Sequence, residues 1–331
     1  MKLKRTLAVL MAAAMTLSLA ACGSSQNAEK DETNDAEKTY NIGICQVMEH
    51  PALDAATEGF QDACNELFGE GNVTFDKQNA QGEQSTCSTI ANNFVTANVD
   101  LILANATLPL QVTSQATSDI PIIGTSITDY ATALGIDDWT GATGINVSGT
   151  SDLAPIDEQE DMLIELIPDA KKVGILYCSA EPNSKYQAEL FEAALDEDNV
   201  EWKEFTVADS NEIVSVVTSA VQECDVIYIP TDNTIANTTE AVYNVCAPAK
   251  IPVIAGEQGI CSGCGIATLS ISYYDIGYKA GEMAYEVLVN GADITTMEIE
   301  YAPQVTKMYN KKICDELGIT IPDDYEMIEE E

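Results

Sequence analysis

The hydrophobic pattern of this chain occurs twice. Asp225 leads an apolar run, Val226, Ile227, Tyr228 and Ile229, which breaks at Pro230 into polar Thr231, Asp232 and Asn233 before a helical pattern begins. Such a run reads as a buried strand ending in a polar loop, with a capped helix behind it. Earlier, Asp100 leads Leu101, Ile102, Leu103 and Ala104 into Asn105, Ala106 and Thr107, followed by a helical run to Ser118. Each copy is followed by Ile-Pro and another short apolar strand, at Ile120-Pro121 and at Ile251-Pro252. Upstream, Gly43 and Gly174 lie in matching strands, and Pro51 and Pro182 open the helices after them. The pairs Gly43/Gly174, Pro51/Pro182 and Pro121/Pro252 share one offset of 131 residues, which predicts two similar α/β lobes.

In the first lobe the periodicity predicts strands at 40–45, 73–75, 101–104 and 122–124, alternating with helices at 52–68, 83–97 and 108–118. That order implies a parallel sheet covered on both faces, with right-handed crossovers. Residues 125–148 are rich in Thr, Gly and Asp and give no periodic element. A helix at 156–167 leads to strands at 173–177, 200–206, 226–229, 253–255 and 266–271, with helices at 184–195, 211–223 and 234–246. A helix at 274–291, a strand at 297–300 and a short helix at 311–317 follow. The first lobe is expected over 39–150 with 273–295 returning to it, and the second over 151–272 with 296–325 returning. Residues 326–331 read as a solvated acidic tail.

The amino terminus is set apart. Lys2, Lys4 and Arg5 precede an apolar run closed by Leu19, Ala20, Ala21 and Cys22. This is the pattern of a bacterial lipoprotein signal over 1–22, cleaved before Cys22, whose thiol takes the lipid. The run is short of a comfortable membrane span. Residues 23–38 are polar, charged and aperiodic, and read as a flexible tether. The expectation is an exported protein, lipid-anchored to the outer face of the bacterial cell membrane.

Composition narrows the chemistry. A chain of 331 residues with 46% hydrophobic content is long enough for two domains. Its formal charge of −39 argues against nucleic acid as a partner and against an anionic membrane surface without a lipid. The only arginine, Arg5, lies in the signal, so a ligand carboxylate must be held without a guanidinium fork. Backbone N–H groups at helix N-termini and capping hydroxyls are the substitutes. The cysteines are scattered and match no disulfide framework. Cys261 and Cys264 form a CxxC, but no second pair accompanies them, and His50, the sole histidine, is remote. With Gly263 and Gly265 beside them, they are expected in a turn, as a disulfide or as two free thiols.

In open parallel sheets, ligands sit beyond the carboxyl ends of the strands. The loops there supply Gln46, Glu49, His50, Asn105, Thr107, Thr125, Thr128 and Asp129 from the first lobe. From the second come Glu181, Asn183, Ser184, Thr231, Asp232, Asn233 and Glu257. These amides, hydroxyls and few carboxylates suit a small polar or zwitterionic molecule. Tyr130, Trp139, Tyr177 and Tyr186 are candidates for an aromatic wall, with ordinary packing as the alternative for each. Catalysis has little to work with: a serine triad would need His50, and no Gly-x-Ser-x-Gly elbow occurs. No P-loop or Gly-x-Gly-x-x-Gly follows the first strand, so no nucleotide cofactor is expected, and no metal.

Together, Ile44 and Gln46 followed by Glu49-His50-Pro51-Ala52-Leu53-Asp54, then Gln78-Asn79-Ala80-Gln81-Gly82, Asn183-Ser184 and Pro230-Thr231-Asp232-Asn233, carry a resemblance. Over residues 39–317 the chain resembles the tryptophan/tyrosine-type solute-binding lipoproteins of ABC transporters. The resemblance implies an α/β protein of two Rossmann-like lobes with parallel sheets joined by a three-crossing hinge, of the type I periplasmic binding protein kind. The lobes would close on a solute that an ABC permease in the membrane then receives. The chain departs from the family pattern at Tyr130, where a proline is usual, and at Ser272, where a carboxylate is. The expected solute is an amino acid, preferably aromatic, with its carboxylate on a helix N-terminus and its ammonium near Asp232, Glu181 or Asp129. A monomer is expected. Alternatives are a ligand sensor of the same fold docking a receptor or kinase, or a site for a nucleoside or other small polar solute. An enzyme and a purely structural surface protein complete the range.

Overall fold

The computed structural model describes residues 39–329, so the expected signal, tether, lipidated Cys22 and last two residues lie outside it. The first sheet is laid down by β1 (Tyr40–Gln46), α1 (Pro51–Phe68), β2 (Val73–Asn79), α2 (Gln84–Ala97), β3 (Leu101–Asn105), α3 (Thr107–Ala116), β4 (Ile122–Ile127), α4 (Tyr130–Leu134) and β5 (Val147–Ser151). The second follows with α5 (Ile156–Leu166), β6 (Lys172–Cys178), α6 (Pro182–Glu197), β7 (Glu201–Val207), α7 (Ile213–Ala220), β8 (Val226–Ile229), α8 (Asn233–Ala236), α9 (Thr239–Ala249), β9 (Val253–Ala255), α10 (Gln258–Cys264) and β10 (Ala267–Ile271). The chain ends with α11 (Tyr273–Leu288), β11 (Glu300–Tyr301), β12 (Val305–Tyr309), α12 (Lys311–Leu317) and β13 (Glu326–Met327).

The internal repeat is a structural one. The strands run β2-β1-β3-β4-β5 in one sheet and β7-β6-β8-β9-β10 in the other, so the order is the same in both lobes. Every pairing within these two runs is parallel. Gly43 and Gly174 lie on the equivalent strands β1 and β6, and Pro51 and Pro182 open the equivalent helices α1 and α6. The central strands β3, β4, β8 and β9 are buried along their whole length, as sheets covered by helices on both faces require.

The chain crosses between the sheets three times: after β5, between β10 and α11, and between β11 and β12. The last crossing falls later than the expected return at residue 296, because β11 still pairs with β5 of the first sheet. β12 then joins the second sheet antiparallel to β10. The expected tail at 326 instead begins as β13, paired to β12, with Ile328 buried.

Helix α11 returns to the first lobe and packs along α1. Glycines permit the close approach: a Cβ at Gly59 would overlap the Tyr274 carbonyl, and one at Gly277 would overlap the Ala56 carbonyl.

Two further elements depart from the periodic reading. The stretch 125–148 is not irregular throughout, since it holds α4 and leads into β5. β5 (Val-Ser-Gly-Thr-Ser) lacks an apolar face yet is wholly buried. Its hydroxyls explain this: Ser148 donates to the Met297 carbonyl, Thr150 to Thr125 Oγ1 and Ser151 to the Thr128 carbonyl. The CxxC lies in helix α10 rather than a turn, directly behind strand β9. Glu257 caps that helix by accepting from the N–H groups of Gly259 and Ile260, which offsets the poor helix propensity of its glycines. Cys261 and Cys264 are buried free thiols, and burial pushes both well above the usual thiol range.

Candidate functional site

The ends of β1, β3 and β4 in one lobe face those of β6, β8 and β9 in the other across a seam. Hydrogen bonds cross it. His50, at the N-cap of α1, lies with Nε2 3.1 Å from Oδ1 of Asn233 in α8. Gln187 of α6 reaches Thr128 Oγ1 from the opposite lobe at 3.4 Å. At the hinge, buried Asp152 accepts from Thr128 Oγ1 (2.9 Å) and from the Tyr273 hydroxyl (3.0 Å). A cavity of about 450 Å³ opens along the seam, with Met48, Gln81 and Leu108 on one wall and Glu181, Asn183 and Asn233 on the other. That size falls in the range of small-molecule sites.

Several of the expected site residues are committed to the scaffold. Gln46 donates from Nε2 to the Met48 carbonyl and to Asp54, and its Oε1 accepts from Thr57. Asn105 Nδ2 donates to the Leu53 carbonyl and to Thr57 Oγ1, so β1, β3 and α1 share one buried polar network. Glu181 accepts from the N–H and Nδ2 of Asn233 and from the N–H and hydroxyl of Thr234, which fixes α8 against α6. Asp232 caps α8 through the Ile235 N–H and also accepts from the Cys178 N–H. Burial, then the charge of Glu181, pushes Asp232 up to about 8. Asn183, Ser184 and Gln187 all donate to the Thr231 carbonyl. Asp129 caps α4 through Thr132, and Thr125 Oγ1 accepts from Thr150. Burial raises Glu257, and the N–H groups of Gly259 and Ile260 partly offset this. Glu49 is exposed.

Beside the strand ends of the first lobe, three buried residues keep a polar atom without a partner among the described residues: His50 Nδ1, Asn105 Oδ1 and Ser126 Oγ. All three residues are buried at the ends of neighbouring strands, and Thr107 is buried beside them in sequence at the start of α3. The backbone there is unusual too, with Ala106 at φ 94 and Ser126 at φ 58, conformations that side chains other than glycine rarely adopt. Sequence reasoning does not single out Ser126, since nothing in Thr-Ser-Ile-Thr separates it from its neighbours. Asp152, Gln187 and Tyr273 are missed as well, because their roles arise only where the lobes and crossings meet.

The aromatic candidates separate. Tyr130 is buried over the β4–β5 glycines, where its hydroxyl donates to the Thr150 carbonyl. Tyr177 lies in the second lobe's core with its hydroxyl on Glu204. Trp139 packs at the edge of the first lobe's core. Tyr186, half-buried on α6, is raised by burial and by Asp129 of the facing lobe, which leaves it the one candidate directed at the seam.

Two duplicated α/β lobes, a three-strand hinge and a polar, arginine-free seam define a cleft-type binding protein. The chain belongs to the ABC transporter substrate-binding protein family, whose model matches residues 41–328. It is 39% identical over 308 residues to the tyrosine-binding protein of Clostridioides difficile (strain R20291), covering 90% of this chain and 89% of that one. Among solved structures it is similar to an ABC domain from Streptococcus pneumoniae in complex with L-Trp, at 34% identity and a TM-score of 0.83, covering 86% of this chain and 97% of that one. It is also similar to the ligand-free, open structure of a Clostridium difficile substrate-binding protein with adhesive properties, at 35% identity and a TM-score of 0.69, covering 88% and 100%. At nearly equal identity, the lobes here superpose better on the L-Trp complex than on the open form, in keeping with the bonds that cross the seam. The fold is that of type I periplasmic binding proteins. Substrate-binding proteins of ABC transporters work outside the cytoplasm.

Proposed function

We propose that this protein captures an aromatic amino acid between its lobes and delivers it to an ABC permease, while anchored to the outer face of the cell membrane through lipidated Cys22. The similarity to a tyrosine-binding protein and to an L-Trp complex, each over most of the chain, carries the choice of ligand class. The site agrees with it in kind. An arginine-free seam must hold a carboxylate with neutral donors, and Thr107, Ser126 and the N-terminus of α3 offer them on the first lobe. The opposite wall carries Glu181, whose charge is felt at Asp232 and favours the ammonium end. The protein works by binding and closure as a monomer, without turnover, and its one histidine is engaged by Asn233 across the seam.

A thermal-shift screen of the soluble chain against the twenty amino acids tests this. Ligand at about a hundred times its dissociation constant stabilises the fold by about 2.7 kcal/mol. The expected response is confined to tryptophan, tyrosine or phenylalanine. Silence across all twenty, after removal of co-purified ligand, would sink the amino-acid reading and redirect the search to nucleosides and sugars.

A further inference from the structure

We infer that His50 is held in a single tautomer and that its Nδ1 is a hydrogen-bond acceptor reserved for an N–H or O–H group of the ligand. This rests on the reading of the seam as an aromatic amino-acid site.

Three residues fix the tautomer. Glu181 accepts from Asn233 Nδ2 at 2.7 Å, and also from the Asn233 N–H at 3.0 Å. With its NH₂ turned to a carboxylate, the Asn233 amide has its oxygen facing the other way, toward His50. The reverse orientation would set the amide oxygen against the carboxylate. Oδ1 can only accept, so His50 Nε2, 3.1 Å away, carries the ring proton and donates. In the neutral ring Nδ1 is then a lone-pair acceptor.

Nδ1 is buried on a side chain only 7% exposed, and no described residue donates to it. Nor is there a ready acceptor for an Nδ1–H. No described acceptor lies within hydrogen-bonding distance of Nδ1, and the adjacent Glu49 is exposed. A buried imidazolium with an unpaired N–H would cost more than the neutral ring, and a bare acceptor there costs less once a ligand donor meets it. The donor is the ammonium of an amino acid, the indole N–H of tryptophan or the phenol of tyrosine.

Because the chain has one histidine, isotope-labelled histidine gives a single pair of ring-nitrogen signals. The expected spectrum shows an Nε2–H tautomer with bare Nδ1, and Nδ1 shifts toward a hydrogen-bonded acceptor when L-Trp or L-Tyr is added. An Nδ1–H in the complex would overturn the inference. In parallel, binding of L-Trp, L-Tyr, L-Phe and indole-3-propionate is measured for the wild type and for His50→Gln, whose amide NH₂ can still reach Asn233. Removing the one ligand donor that meets Nδ1 should cost the wild type about tenfold or more and the variant little. Phenylalanine reports the ring donor and indole-3-propionate the ammonium. Equal donor penalties in both proteins would mean that Nδ1 touches no ligand donor, and that result ends the proposal. Failure of the wild type to bind any of the four instead overturns the ligand reading beneath it.

Discussion

His50 Nε2 and Asn233 Oδ1 stand 3.1 Å apart although 183 residues separate them in the chain, and their bond joins the first helix of one lobe to the strand-end helix of the other. It exists only while the lobes are together, so its free energy favours closure. Asn233→Ala leaves a buried ring donor unpaired in the closed form alone, at about 1–3 kcal/mol. Ligand affinity should fall roughly tenfold or more, and X-ray scattering of the unliganded variant should show a more open particle. An unchanged affinity and an unchanged scattering profile would mean that the bond contributes nothing to closure.

Asp152 gives the hinge a pH dependence. Burial pushes it up to about 6, against the hydrogen bonds from Thr128 and Tyr273 that favour its charge. A carboxyl raised in the folded state favours folding fully below its unfolded value, and the contribution is lost as pH rises through the folded value. The loss should therefore run from about pH 4 to 6 and reach about 3 kcal/mol. Asp152→Asn keeps the shape and removes the proton. Its stability relative to wild type should climb across that window and level off above it, as followed by denaturant unfolding at a series of pH values.

The α1–α11 contact allows no added side-chain bulk at its centre. A Cβ at Gly277 would overlap the Ala56 carbonyl, and backbone cannot yield as a flexible side chain does. Gly277→Val should cost about 3 kcal/mol or more and lower the thermal midpoint by several degrees. A wild-type midpoint would show that the helices separate easily.

Thr57 is the centre of the buried network behind the strand ends, donating to Gln46 Oε1 at 2.7 Å and accepting from Asn105 Nδ2 at 2.9 Å. Thr57→Val keeps the volume but strands both amides, at about 1–3 kcal/mol each. Circular dichroism melts should register the loss. Ligand affinity should fall as well, because Asn105 loses one of the two bonds that orient it; a melt and an affinity equal to wild type would remove this network from the account.

Much of the molecule is determined by sequence alone. The 131-residue offset that relates Gly43 to Gly174 and Pro51 to Pro182 already implies two lobes of one design, because hydrophobic periodicity and proline position act locally. The polar residues after each strand mark the working end of the sheets for the same reason. Local patterns also miss what neighbours supply. β5 reads as loop because its burial depends on hydroxyl partners from β4 and from residues 297 and 298, and α10 reads as turn because the cap on Glu257 outweighs its glycines. Only the tertiary structure decides which polar groups are used up. Gln46, Glu181 and Asp232 look like ligand residues in sequence, yet their hydrogen bonds are filled by backbone and side chains brought in from other elements. His50, Asn105 and Ser126 each keep an atom unfilled. A hydrogen bond is directional and reaches about 3 Å, so its partner is set by where three chain crossings bring the two sheets together, not by residue type or spacing.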